Sequence, residues 1–377
     1  MKKNVIFTSN MYLPNTGGIE NSINALAKEA QDNGDLATIV TSNIVENGAN
    51  LNKGEVFEQG TRVVRYGAST SRLKLVRVVS YIYNALTTYR AEYKKHNRDT
   101  IVIARYHWNV FFAYLAGFRN IRYLVPGVVK IQNDSKNKSG SNKISVKIES
   151  MVQWLAFKLS CKVFVFSNTM MQQVLSVYKT SNIAKVKPGI DFSRFDLKNT
   201  SSNTNKNIQV IAICRLVSAK GLNYLIDAMM FLPDHYNLVL AGDGPEKGRL
   251  ISLAKKNNVS HRVDFVGKVM KPEEYYKSSD VFVLPSIYEP FGQTILEAVS
   301  SGLPVVAFKS DLVDTATYDI LGDIGFYANE LTAESLSLEI IKAYNLYDEN
   351  PEYIKRGRNH VIENYSWMEL YRNLINR

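Results

Sequence analysis

Ser286-Ile-Tyr-Glu289-Pro-Phe-Gly292-Gln-Thr-Ile-Leu-Glu297-Ala298 sets two carboxylates on either side of seven residues, with a Pro-Phe-Gly turn just after the first. The run before it, Val281-Phe-Val-Leu284, is short, apolar and β-prone, which reads as a buried strand. The run from Thr294 through Ser301 reads as a helix that Gly302 caps and Pro304 stops. Glu289 therefore falls in a strand-to-helix loop, and Glu297 in the first turns of the helix. The two acids can then touch the two ends of one ligand, with helix N-terminal amides between them for an anion. A bare pair of acids at this spacing is most often a solvated helix face. The preceding strand, the Pro-Phe-Gly turn and the following Gly302-Leu-Pro-Val-Val306 make this one far more specific.

The same strand-to-helix grammar recurs on both sides. Ile208 to Cys214 reads as a strand, followed by Arg215-Leu-Val-Ser-Ala-Lys220-Gly221 and a helical run from Leu222. Two cations five apart across such a turn can converge on a diphosphate, Arg as a fork and Lys as a point charge. A further strand, Tyr236 to Ala241, ends in Gly242-Asp-Gly244-Pro245. No Gly-Lys-Ser/Thr follows, so this is a tight turn and not a Walker loop. Val263-Asp-Phe-Val-Gly267 is one more short strand and turn. Near the start, Asn4 to Thr8 is a first strand, and Tyr12-Leu-Pro-Asn-Thr-Gly17-Gly18-Ile-Glu20 opens a helix from Asn21 to Ala30. Gly17 and Gly18 would let backbone amides approach a phosphate or sugar. Glu20 could equally serve as a first-turn carboxylate that complements the helix dipole.

Alternating strands and helices imply an α/β architecture of two doubly wound domains. Strands are expected near 3–9, 36–42, 62–66, 100–105, 121–125 and 162–167, then near 208–214, 236–241, 262–266, 281–284 and 304–308. The polar stretch from Leu197 to Asn207 reads as a linker between domains 1–198 and 208–361. The closing segment from 362 to 377 carries an amphipathic helix. At 377 residues each domain is large enough to bury its own core. Cys161 and Cys214 have no pairing or metal spacing, which implies a reducing compartment. Met1-Lys-Lys runs straight into a strand, and no apolar run of about 18 residues occurs, so a cytoplasmic protein without a spanning helix is expected. No metal cluster is apparent in the sequence.

Charge is lopsided. Residues 1–200 hold 28 Lys and Arg against 13 Asp and Glu, while the remainder holds 18 against 22. The excess gathers in Arg72-Leu-Lys-Leu-Val-Arg77, in Arg90, Lys94 and Lys95, and in the loop from Lys130 to Lys143. For any single patch a solvated surface is as good a reading as a binding face. The bias of a whole domain favours an anionic partner such as phospholipid headgroups or a lipid pyrophosphate. Nucleic acid is disfavoured, because no reading helix, zinc finger or RNA-binding motif accompanies the charge.

The Glu-x7-Glu string, the Arg215/Lys220 turn and the Gly17-Gly18 loop together resemble the retaining glycosyltransferases of family 4. That family has the GT-B fold, two Rossmann-like domains facing a central cleft. The resemblance implies transfer of a hexose or N-acetylhexosamine, with retention, from a UDP- or GDP-sugar to a glycan acceptor, often lipid-linked. The setting it implies is cell-surface polysaccharide, lipopolysaccharide or capsule synthesis at the inner membrane face, with no cofactor beyond the donor. It assigns the donor sugar to Glu289, the ribose hydroxyls to Glu297, and the diphosphate to amides around Phe291, Gly292, Gln293 and Thr294. Arg215 and Lys220 would neutralise the leaving group, and the backbone near Val263–Gly267 would cup the base. The first domain would bind the acceptor, and the closing helix would cross back to it. Two positions depart from the pattern: Pro126-Gly127 stands where many members carry His, and Lys187-Pro-Gly-Ile-Asp191 where Asn-Gly-Ile-Asp is common. His107 is the acceptor-side candidate in its place, although a lone His is more often structural. A catalytically silent sugar-nucleotide binder and a sugar-nucleotide epimerase on the same fold are the alternatives.

Overall fold

The computed structural model describes residues 2–15, 17–45, 51–67, 71, 73–96, 98–134, 143–197 and 207–376. The chain divides into two compact units, Met1–Gly189 with Trp367–Arg377, and Ile190–Ser366. The division falls at Gly189/Ile190, ahead of the polar stretch that the sequence marks as a linker, and the return comes at Trp367 rather than at 362. Residues 198–206 of that stretch lie outside the described residues, as do Arg72 and positions 135–142 of the basic loop.

The first unit is built on strands β1 (Asn4–Ser9), β2 (Leu36–Ser42), β3 (Gly54–Glu58), β4 (Thr61–Tyr66), β5 (Ile101–Ala104), β6 (Ile121–Leu124), β7 (Lys162–Val165) and β8 (Ile183–Lys185). Their order in the sheet is β3-β4-β2-β1-β5-β6-β7-β8, parallel except where β3 runs antiparallel to β4. The central strands are continuous apolar runs because both faces are covered; every residue of Ile101–Ala104 is buried. The edge strands differ. β3 is almost wholly exposed and joins β4 through Gln59 and Gly60, both at positive φ, in a two-residue hairpin turn. β8 is a three-residue edge. Neither carries enough apolar pattern to be read as a strand.

The second unit holds β9 (Ile208–Ile213), β10 (Tyr236–Ala241), β11 (Val263–Gly267), β12 (Val281–Leu284), β13 (Tyr288–Glu289), β14 (Val305–Phe308), β15 (Asp314–Thr315) and β16 (Phe326–Ala328). Six form a parallel sheet in the order β11-β10-β9-β12-β14-β16, and β13 pairs with β15 alone. β13, β15 and β16 are two or three residues long, too short for a periodic signal. In each unit one pair of neighbours, β1/β5 and β9/β12, sends its chain toward opposite sheet edges. The crevice beyond the carboxyl ends of such a pair is where an open α/β sheet presents a ligand site.

One helix corrects the sequence reading. The first runs over Gly18–Asp32, not from Asn21, so Gly17 is its N-cap and Gly18 already helical. The sequence pattern undercounts here because glycine is read as loop by default. The closing helix, Trp367–Asn376, packs on Gly18–Asp32. Tyr371 Oη donates to Asp35 Oδ2 at 2.7 Å, and Lys3 Nζ to Asn376 Oδ1 at 2.8 Å. Arg122 donates to the Leu374 carbonyl. Gly189 lies so close that a Cβ there would stand 2.4 Å from the Trp367 nitrogen.

Burial alone would push the Asp35 carboxyl up, but the Lys3 amide, Tyr371 and Asn33 outweigh it and hold it below the usual range. Tyr371→Phe is therefore expected to lower the stability of this unit by about 1 kcal/mol. The measurement is the urea midpoint of its unfolding; an unchanged midpoint would show that the closing helix is not anchored through this contact.

Candidate functional site

The loops that follow β9 and β12 are pressed together. After β9 the chain makes a short turn at Ser218–Lys220 and ends it with Gly221 at φ 59°. A Cβ on Gly221 would sit 2.0 Å from the Pro285 carbonyl oxygen, so glycine is needed both for the left-handed backbone and for the approach. The Ile287 amide donates to the Ala219 carbonyl at 3.0 Å, which stitches the two loops directly. The turn after β10 braces them from the other side. The Leu216 amide donates to the Asp243 carbonyl at 2.9 Å, and a Cβ on Gly242, at φ 140°, would meet the Cys214 carbonyl at 1.9 Å. Gly242-Asp-Gly244 is a packing turn under the site.

The result is an ion pair between Lys220 Nζ and Glu289 Oε2, with side chains 18% and 11% exposed. Glu289 is fixed from its backbone as well: it pairs with Thr315 in the β13/β15 ladder, and its carbonyl accepts from the Ala316 amide at 2.9 Å. Gly292, at φ 89°, then turns the chain into the helix Gln293–Ser300. That left-handed backbone is what favours glycine here, since the 2.6 Å approach of a Cβ would be to the mobile tip of Ile295. No side chain caps the helix N-terminus, whose first amides belong to Gln293 and Thr294. Glu297, on that helix, accepts from Tyr276 Oη at 2.9 Å. Arg215 is exposed on the loop after β9.

Burial works against the Lys220 cation, but the Glu289 charge and hydrogen bond outweigh it and raise its pKa above the usual lysine value. Lys220 is thus a permanent cation at physiological pH. Cys214, beneath the pair, has its thiol pushed up to about 11, chiefly by burial. It is a packing residue and no nucleophile. Glu297 is raised above the usual carboxylate range by burial, which the Tyr276 hydroxyl and nearby Arg194 only partly offset.

Within this unit the structure joins Lys220, Glu289 and Gly292 in one place and supports Glu297 from Tyr276. Tyr276 was not legible in the sequence. It lies in the short helix Pro272–Ser278 of ordinary surface composition, and its ring is fully buried. The Ser286 hydroxyl is buried beside the strand end and has no hydrogen-bond partner. The carbonyl of Gly267, proposed from resemblance to lie near a base, accepts from the Gly242 amide at 2.7 Å. Among the described residues no cluster of His, Cys, Asp and Glu is placed to hold a metal ion.

The remaining candidates lie in the first unit. Gly17 and Gly18 follow β1, and the Glu20 carboxylate turns back over Gly17, 2.6 Å from where a Cβ would be. His107 is buried at the start of the helix His107–Ala116. Its Nε2 lies 2.5 Å from Glu149 Oε2, and Trp108 Nε1 donates to the same carboxylate at 3.1 Å. Burial would raise the Glu149 carboxyl, but His107 and Trp108 outweigh it and hold it low. His107 is therefore engaged in a structural pair. At the departure Pro126-Gly127, the buried Gln153 Nε2 donates to the Gly127 carbonyl at 2.8 Å. The turn is braced from within by that amide.

Residues 193–360 match the family model described as "Glycosyl transferases group 1". A lipopolysaccharide core biosynthesis glycosyltransferase, LpsE of Rhizobium meliloti, is 41% identical over 102 residues, which are 27% of this chain and 30% of the relative. The chain spans between 30 and 61% of the lengths of the first curated relatives it matches. Among solved structures, sucrose-phosphate synthase from Thermosynechococcus elongatus superimposes with a TM-score of 0.81 at 18% identity, over 99% of this chain and 97% of that one. HepE of Anabaena, solved with UDP-glucose, gives 0.74 at 14% identity over 98% of both. The fold is that of the GT-B glycosyltransferases.

Gly221→Ala should cost more than the ~1 kcal/mol of a helix-interior glycine change, because strain and a backbone clash add. Thermal unfolding of the variant measures it; wild-type stability would show that the loops are not in the contact described.

Proposed function

We propose that the protein is a glycosyltransferase that moves a hexose or N-acetylhexosamine, with retention, from a nucleotide diphosphate sugar to a glycan acceptor in cell-surface polysaccharide synthesis. The observation that carries this reading is the Lys220–Glu289 pair at the β9/β12 crevice, beside a helix N-terminus without a side-chain cap. The match of residues 193–360 to the glycosyl transferase family and the UDP-glucose bound by a structural neighbour support it. The basic first unit and the relative named for lipopolysaccharide core biosynthesis support an anionic, lipid-linked acceptor.

As the glycosidic bond breaks, negative charge grows on the diphosphate and positive charge on the anomeric carbon. Lys220, Arg215 and the amides at Gly292 to Thr294 would stabilise the former. Glu289 would hold hydroxyls of the sugar and Glu297 the ribose diol. The second acid is then committed to the nucleotide, so a two-carboxylate covalent route of the hydrolase kind is not the mechanism proposed.

The first test is a screen of UDP- and GDP-sugars for thermal stabilisation and for diphosphate release, with and without membrane lipid extract. Stabilisation by one donor with lipid-dependent release supports the transferase; stabilisation without turnover supports the silent binder. In the active pair, Glu289→Ala should abolish transfer while nucleotide affinity stays within about threefold, well under 1.4 kcal/mol. Loss of nucleotide binding in that variant would remove Glu289 from its role on the sugar.

The raised pKa of Glu297 gives a pH dependence. The ionised carboxylate accepts both ribose hydroxyls, so donor affinity should fall as pH drops through a window above the ordinary carboxylate range. Glu297→Gln should weaken binding and flatten that profile in calorimetric titrations. A variant that keeps the wild-type pH profile would assign the titration to another group.

A further inference from the structure

Arg105 follows β5, and its amide donates to the Thr8 carbonyl of β1 at 2.8 Å, which sets it at the β1/β5 crevice of the first unit. The residue is only 5% exposed, and its guanidinium lies 5.2 Å from the centroid of the Phe166 ring, just past β7. Nε and Nη1 are buried without a hydrogen-bond partner. The other two buried arginines among the described residues bring their partners with them. Arg65 donates to the Leu13 carbonyl and to Glu58, and Arg262 to the Met229 and Pro233 carbonyls. Arg105 has neither carbonyl nor carboxylate on its guanidinium among the described residues. Burial outweighs the support of Tyr123 and Glu20 and brings its pKa down to about 10, so it is still a cation at neutral pH. A charge held this way costs desolvation that the protein itself does not offset. A bound anion would offset it.

The surroundings narrow the kind of anion. Tyr106, next in the chain, is half-buried at the same strand end. The Tyr123 phenol acts electrostatically on both Arg105 and Tyr106, so the two side chains lie about one point at β6. A partly exposed aromatic ring beside a buried cation suits a sugar that carries an acid. The ring takes the apolar face of the sugar, and the guanidinium takes the acid in a charge-assisted hydrogen bond.

We propose that Arg105 reads an acid group, carboxylate or phosphate, on the sugar to which the glycosyl group is transferred. Naming that sugar as the acceptor rests on the transferase reading above; the anion site does not. The acceptor is thereby narrowed to a glycan whose accepting end is a uronic acid or a sugar phosphate. Recognition falls to one side chain inside the crevice, not to the basic surface of the unit. The competing account makes Arg105 a purely structural prop for Phe166, and it predicts the opposite behaviour of the variants.

The test is binding to the full chain, without any sugar nucleotide, followed by calorimetry and thermal unfolding. The probes are the methyl glycosides of glucuronic and galacturonic acid, glucose 6-phosphate, neutral methyl glucoside and inorganic phosphate. One acidic sugar should bind and raise the melting temperature while the glucoside does not. A response to a uronide assigns the carboxylate, and a response to the sugar phosphate assigns the phosphate. Arg105→Met should weaken that binding about tenfold or more. The same variant, free of ligand, should melt higher than wild type, because an unpaired buried charge has gone. Arg105→Lys keeps the cation and should still prefer the acidic sugar to the glucoside. Lys220→Met, in the other unit, should leave the binding unchanged. Binding that survives Arg105→Met, or that Lys220→Met removes, overturns the proposal. So does a Lys variant without preference, a response to inorganic phosphate equal to that of the sugar acids, or no response to any acidic sugar. The donor screen reports on the second unit, so either experiment can fail and leave the other result standing.

Discussion

The contact of Gly221 with the Pro285 carbonyl governs the rest of the second unit's site. Two loops leave neighbouring parallel strands and must come within van der Waals distance of one another. Only then do Lys220 and Glu289 meet, because each side chain starts from one of these two loops. Three glycines, at 221, 242 and 292, hold left-handed or sterically closed positions around that one pair. The site is thus fixed by backbone before any side chain is chosen. An ion pair so placed contributes little net stability, since desolvation opposes the Coulombic gain. Its value is positional: it holds a cation and a carboxylate in fixed register at the β9/β12 crevice.

The fold was largely legible because both sheets are parallel and covered on both faces. Runs such as Ile101–Ala104 and Val281–Leu284 are apolar and continuous, β-rich and too short for helices, as strands covered on both faces require. What escaped was edge and short-strand structure. β3 exposes almost every residue, so its only signal was the Gln59-Gly60 turn. β13 exists because Glu289 needs a backbone anchor, which two residues cannot announce. The first helix begins earlier than its sequence pattern implies, because Gly18, a residue that ordinarily signals loop, is helical.

At the site, the motif residues were legible and their supports were not. Lys220 and Glu289 were named separately, and their direct pairing emerges only from the strand order β9-β12. Tyr276 and Glu149 act through contacts far apart in sequence, which no local pattern encodes. His107 illustrates the converse: a residue that stands out in the sequence is itself buried and held by a partly exposed carboxylate. Long-range partnership, rather than residue type, decided each of these outcomes.

The closing helix has a consequence for synthesis. Trp367–Asn376 belongs with the strands of the first unit, yet it is encoded after the whole of the second. As the chain emerges from the ribosome, the first unit must wait with the surface of Gly18–Asp32 uncovered until translation has passed Ser366. The second unit, continuous from Ile190, can mature earlier although it is made later. The amino-terminal unit is therefore sealed only by a segment that is made after the whole of the second unit.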